Sequence, residues 1–281
     1  MLKFFSKNNN NNMEQHDFQK ITPEELKEFK FNTWIPEGIG DLYDGNMDKL
    51  FFSKVTLKYF LEYIKPNDKV LDVGAGTGRL SLALAEIGCD VTAIDISESM
   101  LKKLDEKKGD KKIKTVVANC ENLGFEDSSF DSVVSLDAMI HFPNWQDFLS
   151  EQVRIVKKNG IIAFNFYSGD NFNVIENNRN KASSYLTGGH FYANATKDEL
   201  YEICKKYNLE LVKLQPFNFF HQNVFSYGYL TSEEQINFNA LLRKMLHSHK
   251  IMDLIVQLEE KIVKNMSNED CSNMLVVLRK K

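Results

Sequence analysis

The chain has 281 residues, 43% hydrophobic and 26% charged, which suffices for a full core in one large domain, or in one domain carrying an insertion. A net charge of −4 and a pI of about 5.9 give no broad attraction to nucleic acid or an anionic membrane, so a nucleic-acid substrate is disfavoured. No apolar run reaches the roughly 20 residues that span a bilayer, and the start at Met1 to Phe5 is too short for a signal h-region. The four cysteines, Cys89, Cys120, Cys204 and Cys271, lack C-x-x-C spacing, so reduced thiols, no metal site and a cytoplasmic location are expected.

Residues 1–20 carry the asparagine tract Asn8 to Asn12 among polar residues, and such a stretch buries too little surface to offset its ordering entropy. A disordered tail is expected there. In 21–46, Thr22 as N-cap, Pro23 at the first helical position and Glu25 at the capping-box position predict a short helix, followed by the bulky Phe29, Phe31 and Trp34. Apolar residues at helical spacing from Leu50 to Ile64 predict a helix ending before Pro66. Lys69 to Val73 then reads as a buried strand, Gly74-Ala75-Gly76-Thr77-Gly78 as a tight turn, and Arg79 to Ile87 as a helix. Cys89 to Ile96 is a second strand, with Ser97 capping a helix that carries Met100, Leu101 and Leu104.

Lys114 to Ala118 is the third strand and Asp131 to Leu136 the fourth, which leaves through the loop Asp137 to Phe142. Asn144 can cap a helix to about Lys157, the segment Lys157 to Gly160 turns, and Ile161 to Phe166 is the fifth strand. The polar stretch Tyr167 to Ala195 reads as a long loop of functional use. A capping box at Thr196 and Glu199 opens a helix, and Glu210 to Leu214 is the sixth strand. After the aromatic stretch Phe217 to Tyr229 come two helical patterns, about Ser232 to His247 and Lys250 to Met266. A last apolar run spans Asn273 to Leu278. Strands alternating with helices predict an α/β domain with a doubly wound sheet.

The glycine loop offers bare backbone at a helix N-terminus, where N–H groups and the helix dipole favour an anionic group. Its spacing is G-x-G-x-G with Asp72 two residues ahead, whereas the dinucleotide fingerprint is G-x-G-x-x-G. Asp95 ends the second strand about 20 residues beyond the loop, where an acid can accept both ribose hydroxyls of an adenosine in either cofactor class.

The loop resembles motif I of the class I S-adenosylmethionine-dependent methyltransferases. The segment Asn119-Cys120-Glu121-Asn122-Leu123-Gly124-Phe125-Glu126-Asp127-Ser128-Ser129-Phe130-Asp131 is similar to that family's D-A-E-N-L-P-F-x-D-x-S-F-D, found in its small-molecule branch near the quinone-biosynthesis enzymes. It departs at Asn119, where aspartate is common, and at Gly124, where proline is. The resemblance implies a Rossmann-like seven-stranded sheet, mostly parallel with the last strand antiparallel, and S-adenosyl-L-methionine as cofactor. It implies cofactor contacts at Asp72, Gly74, Ala75, Gly76 and Gly78, at Asp95, Ile96 and Met100, at Asn119 and Cys120 for the adenine, and at Leu136. It further implies that 21–46 forms a lid, that 47–214 is the methyltransferase core, that 215–272 is a helical and aromatic insertion over the substrate side, and that 273–281 supplies the final strand. The alternative for that strand is Val224 to Tyr229, with the helices as an appendage.

His141 is the first candidate for taking a proton or orienting a substrate, because its loop leaves the fourth strand on the ligand side and imidazole titrates near neutrality. A histidine there can also be a structural residue or a wall of the cofactor site. His190 and His221 lie in the stretches expected to face the substrate, and Phe191, Tyr192, Phe219, Phe220 and Tyr229 could line an apolar pocket or simply form core. The Asn/Asp-Pro-Pro-aromatic signature of many base- and amide-methylating enzymes is absent after Leu136, so a small-molecule methyl acceptor is expected, with O-, N- and C-methylation all open. Two other readings are an NAD(P)-dependent oxidoreductase, against which the glycine spacing argues, and a non-catalytic methyltransferase-fold partner subunit.

Overall fold

The computed structural model describes Glu37 and residues 52–142, 144–168, 183–186, 190–216, 249–267 and 273–281. The elements in chain order are α1 (Phe52–Leu61), β1 (Lys69–Val73), α2 (Arg79–Glu86), β2 (Asp90–Asp95), α3 (Glu98–Lys108), β3 (Ile113–Val117), β4 (Phe130–Ser135), α4 (Trp145–Ile155), β5 (Val156–Ser168), β6 (Ser183–Leu186), β7 (His190–Ala195), α5 (Lys197–Lys206), β8 (Leu209–Pro216), α6 (His249–Val263) and β9 (Asn273–Lys280).

Strands β3-β2-β1-β4-β5 run parallel, with Val70 beside Val91 and Val133 beside Leu71. Because helices cover both faces of these strands, their side chains are buried in runs: four successive residues of β1, from Val70 to Val73, are buried without alternation. The C-terminal strand β9 inserts antiparallel between β5 and β8, pairing Val277 with Ala163 and Leu278 with Leu211. This is the antiparallel last strand expected over Asn273 to Leu278. Val224 to Tyr229, the alternative, lies outside the described residues, as do the 1–20 tail, most of 21–46 and the helical pattern 232–247.

Each face of the sheet has its own core. Phe148, Leu149 and Ile155 of α4 and Leu200 of α5 pack with Phe130 and Phe164 on one side. Phe60 of α1, Leu80 and Leu84 of α2, Leu101 and Leu104 of α3 and Val263 of α6 pack with Val91 and Val134 on the other. Helix α6 lies beside α1, and Lys58 pairs with Glu260 across them.

Three local expectations change. The stretch Tyr167 to Ala195 is not one loop: β5 continues to Ser168, and β6 and β7 form a hairpin with Tyr185 beside Phe191. Pairing of β4 to β5 stops at Ser135 and Phe164, so the extended β5 leaves an open edge, and β7 covers it through Tyr167 with Asn194 and Ser168 with Ala195. The turn Lys157 to Gly160 is absorbed into β5 as an irregularity, with Asn159 at φ 63 and the register shifting between Phe130 and Ser132. Asn144 stands at the N-cap of α4, but its side chain makes no capping bond; its carbonyl accepts the Asp147 N–H at 3.0 Å. By contrast, Ser97 Oγ accepts the Met100 N–H, and Thr196 and Glu199 form the reciprocal capping box.

Candidate functional site

Strand order reverses between β1 and β4, and a crevice opens beyond their carboxyl ends, where open α/β sheets bind ligands. The glycine loop forms its floor. The Gly74 and Ala75 N–H groups donate to the Ile94 carbonyl at 2.9 and 2.8 Å, tying the loop to the end of β2. A Cβ on Gly74 would lie 2.3 Å from the Ala138 Cβ, so the chain after β4 leaves no room for a side chain there. Gly76, at φ 55, meets nothing within 4 Å, so its backbone faces open space in which a ligand could rest.

Two acids flank that space. Asp95 accepts the Gly76 N–H on Oδ2 at 2.8 Å and the Ser97 N–H on Oδ1 at 2.9 Å, which aims the carboxylate while leaving it partly exposed. Burial pushes its pKa up, and the backbone amides of Ser97, Gly76 and Ile96 pull it back. Asp72 is 1% exposed beneath the loop and accepts the Ser81 hydroxyl at 2.6 Å. Burial pushes its pKa up to about 6; the Ser81 bond lowers it, the nearby Asp95 raises it and the Arg79 charge lowers it.

Of the expected residues, the crevice gathers Asp72, Gly74, Ala75, Gly76 and Leu136 in its wall, with Asp95 reaching it through the Gly76 N–H. The Ala118 N–H donates to the Asp95 carbonyl at 3.0 Å, so the exit of β3, with Asn119 and Cys120 next in the chain, lies beside the exit of β2. Asn119 Oδ1 accepts the Glu121 N–H at 3.0 Å and so closes its own turn, and Cys120 is half-buried. Ile96 is half-buried next to Asp95, and Met100 is buried on α3. Gly78 does a different job: it caps α2 at φ 90, and a Cβ there would lie 2.2 Å from Leu104 Cδ1, so it sets how closely α2 meets α3.

His141 is half-buried at the end of a 3-10 turn, Met139–His141, whose first two residues are buried in the core. Strand β7, which begins at His190, packs against that turn. His221 lies outside the described residues.

Sequence reasoning missed Arg79 and Asp137. Arg79 lines the crevice with its side chain only 10% exposed, and its Nη2 donates to Asp137 Oδ2 at 2.6 Å. Asp137 in turn is gripped by Asn165, which accepts the Asp137 N–H at 2.7 Å and donates to Asp137 Oδ1 at 2.7 Å. The available signal was a cation on the first residue of α2, where the helix dipole disfavours positive charge, together with an acid just past β4.

Among the described residues, no group of three His, Cys, Asp or Glu side chains could hold a metal ion, and no helix is long and apolar enough to cross a membrane.

The family model for a methyltransferase domain matches residues 71–164, from within β1 to within β5. The chain is 29% identical over 251 residues to the ubiquinone biosynthesis O-methyltransferase of Rickettsia typhi, covering 81% of this chain and 95% of that protein. It is 30% identical over 195 residues to the enzyme of the same name from Pelagibacter ubique, covering 60% of this chain and 77% of that protein. Among solved structures, an S-adenosylmethionine-dependent methyltransferase from Mesorhizobium loti superposes with a TM-score of 0.52 over 80% of this chain and 95% of that one, at 15% identity, a likeness of fold. The chain belongs to the class I S-adenosylmethionine-dependent methyltransferases and is an enzyme that uses S-adenosyl-L-methionine.

Proposed function

We propose that the enzyme transfers a methyl group to a small-molecule acceptor by in-line displacement, with the cofactor lying in the crevice over Gly76. The observation that carries this reading is the open backbone of Gly76 beside an Asp95 carboxylate already aimed by two amide bonds. On this reading Asp95 accepts the ribose hydroxyls, the Gly74 to Gly76 backbone and the buried Asp72 meet the amino-acid end, and Ile96, Met100, Asn119 and Cys120 border the adenine. Leu136 closes the wall. S-adenosylmethionine supplies a methyl group already activated on a positively charged sulfur, so the protein's contribution is to orient the acceptor and exclude water.

His141 is the residue we assign to orienting the acceptor or taking its proton, supported by its position on the turn that leaves β4 and by the packing of β7 against that turn. The names of the Rickettsia and Pelagibacter relatives favour an oxygen as the methylated atom. A cytoplasmic site of action fits Cys89 and Cys204, which are buried free thiols.

Calorimetric titration with S-adenosylhomocysteine, with NAD as control, tests the cofactor assignment, and transfer of labelled methyl from S-adenosylmethionine to a panel of phenols, amines and activated carbons tests the acceptor. Binding of S-adenosylhomocysteine with labelling of phenols is expected. No binding, or tight binding of NAD instead, would overturn the reading, and binding without labelling of any acceptor would favour a partner subunit.

A further inference from the structure

The crevice holds two opposite charges, and the reading above uses only one of them. Asp72 and Arg79 line the same small space, close enough that the Arg79 charge acts on the ionisation of Asp72. Resting on the assignment of S-adenosylmethionine to this crevice, we propose that Arg79 receives the α-carboxylate at the amino-acid end of the cofactor, and that Asp137 and Asn165 are positioning residues that set the plane of its guanidinium.

Four observations lead there. A guanidinium keeps its charge at every physiological pH and presents a flat fork of N–H donors that fits a carboxylate, so a buried Arg in a ligand crevice is chemically matched to that group. Arg79 sits on the first residue of α2 with its side chain 10% exposed, a place where both burial and the helix dipole oppose a cation. A pair serving stability alone would lie more cheaply at the surface.

The Asp137 that holds it is built with unusual care. Its backbone is left-handed at φ 57, a conformation that costs a non-glycine residue energy. Asn165, fully buried, spends its amide on orienting that carboxylate and reaches on to Asn273 Oδ1 of β9 at 3.3 Å. Strands β4, β5 and β9 thus converge on the aim of one arginine. Finally, an acid and a base across one crevice complement a zwitterion, and the amino-acid end of S-adenosylmethionine is one.

The test compares S-adenosylhomocysteine with its decarboxylated analogue, which keeps the amine and the adenosine, by calorimetry on the full chain. Thermal melts accompany each variant. Wild type is expected to prefer S-adenosylhomocysteine. Arg79→Gln should weaken S-adenosylhomocysteine by about 10- to 100-fold, the range of a lost charge-assisted bond, and change the analogue's affinity much less. Arg79→Lys keeps the charge without the fork and should fall between. Asp137→Asn should weaken S-adenosylhomocysteine less than Arg79→Gln does, again sparing the analogue.

Equal loss of both ligands in Arg79→Gln would overturn the proposal, because a residue that only holds the loop cannot distinguish them. Equal affinity of wild type for the two ligands would overturn it as well. If wild type bound neither ligand, the cofactor assignment itself would fail, which is a separate result. Should Arg79→Gln not fold, Arg79→Lys and Asp137→Asn carry the same comparison.

Discussion

Replacing Asp72 by Asn should make the protein progressively more stable than wild type as the pH rises. Folding raises the Asp72 pKa from 3.8 to about 6, because burial beneath the glycine loop disfavours the carboxylate more than the Ser81 hydroxyl favours it. The folded state therefore holds this proton more tightly than the unfolded chain does. The resulting stability is complete below the unfolded value and is lost as the pH climbs through the folded one. A gap of about two pH units corresponds to a loss of about 3 kcal/mol at pH 8. An asparagine cannot ionise and escapes that loss. Its additional N–H donors in a buried position impose an offset of their own, but the offset is the same at every pH, so the slope is what carries the information.

Urea denaturation of both proteins between pH 4.5 and 8, each pair of melts in one buffer, gives the stability difference, with titrations remote from Asp72 and its neighbour Asp95 shared. Asp72→Asn should gain about 2 to 3 kcal/mol on wild type across that range. A difference that stays constant with pH would mean that Asp72 is ionised throughout and that its burial does not govern its charge. On the proposed placement of the cofactor, the same substitution should also weaken S-adenosylhomocysteine.

Gly74→Ala should fail to fold or lose several kcal/mol, because its Cβ would meet the Ala138 Cβ at 2.3 Å, and soluble yield with a thermal melt reads this. Gly76→Ala meets no atom and should cost only about 1–2 kcal/mol for its left-handed φ, yet its methyl enters the crevice and should weaken S-adenosylhomocysteine by at least about tenfold; unchanged affinity would put the ligand elsewhere. Asp95→Ala should lower S-adenosylhomocysteine affinity by about 1–3 kcal/mol in calorimetry through lost bonds to the ribose. Asn165→Ala leaves the Asp137 N–H without its side-chain acceptor and should destabilise the fold by about 1–3 kcal/mol in urea melts.

Local order along the chain was written in residue types and spacing. The β-branched run ahead of Gly74, the acid at the end of β2, the cap at Ser97 and the box at Thr196 each act within a few residues, so periodicity and side-chain chemistry determined them. The glycine loop and the Asn119 to Asp131 segment carried the family with them, and with it the cofactor. What required tertiary structure is whatever depends on residues far apart meeting. Gly74 and Gly78 look alike in the motif, yet one is crowded by Ala138 and the other by Leu104, neighbours 64 and 26 positions on. Strand β7 can pair with β5 because β5 outruns β4, a length mismatch between strands that no local pattern encodes. The Arg79, Asp137 and Asn165 chain joins α2, the exit of β4 and β5, and each member alone is an ordinary polar residue. Sequence alone determined the loop, the positions of the acids along the chain and the cofactor of the family. Only the packed sheet decided which charges share the crevice, because electrostatic partnership depends on distance in space and not on separation along the chain.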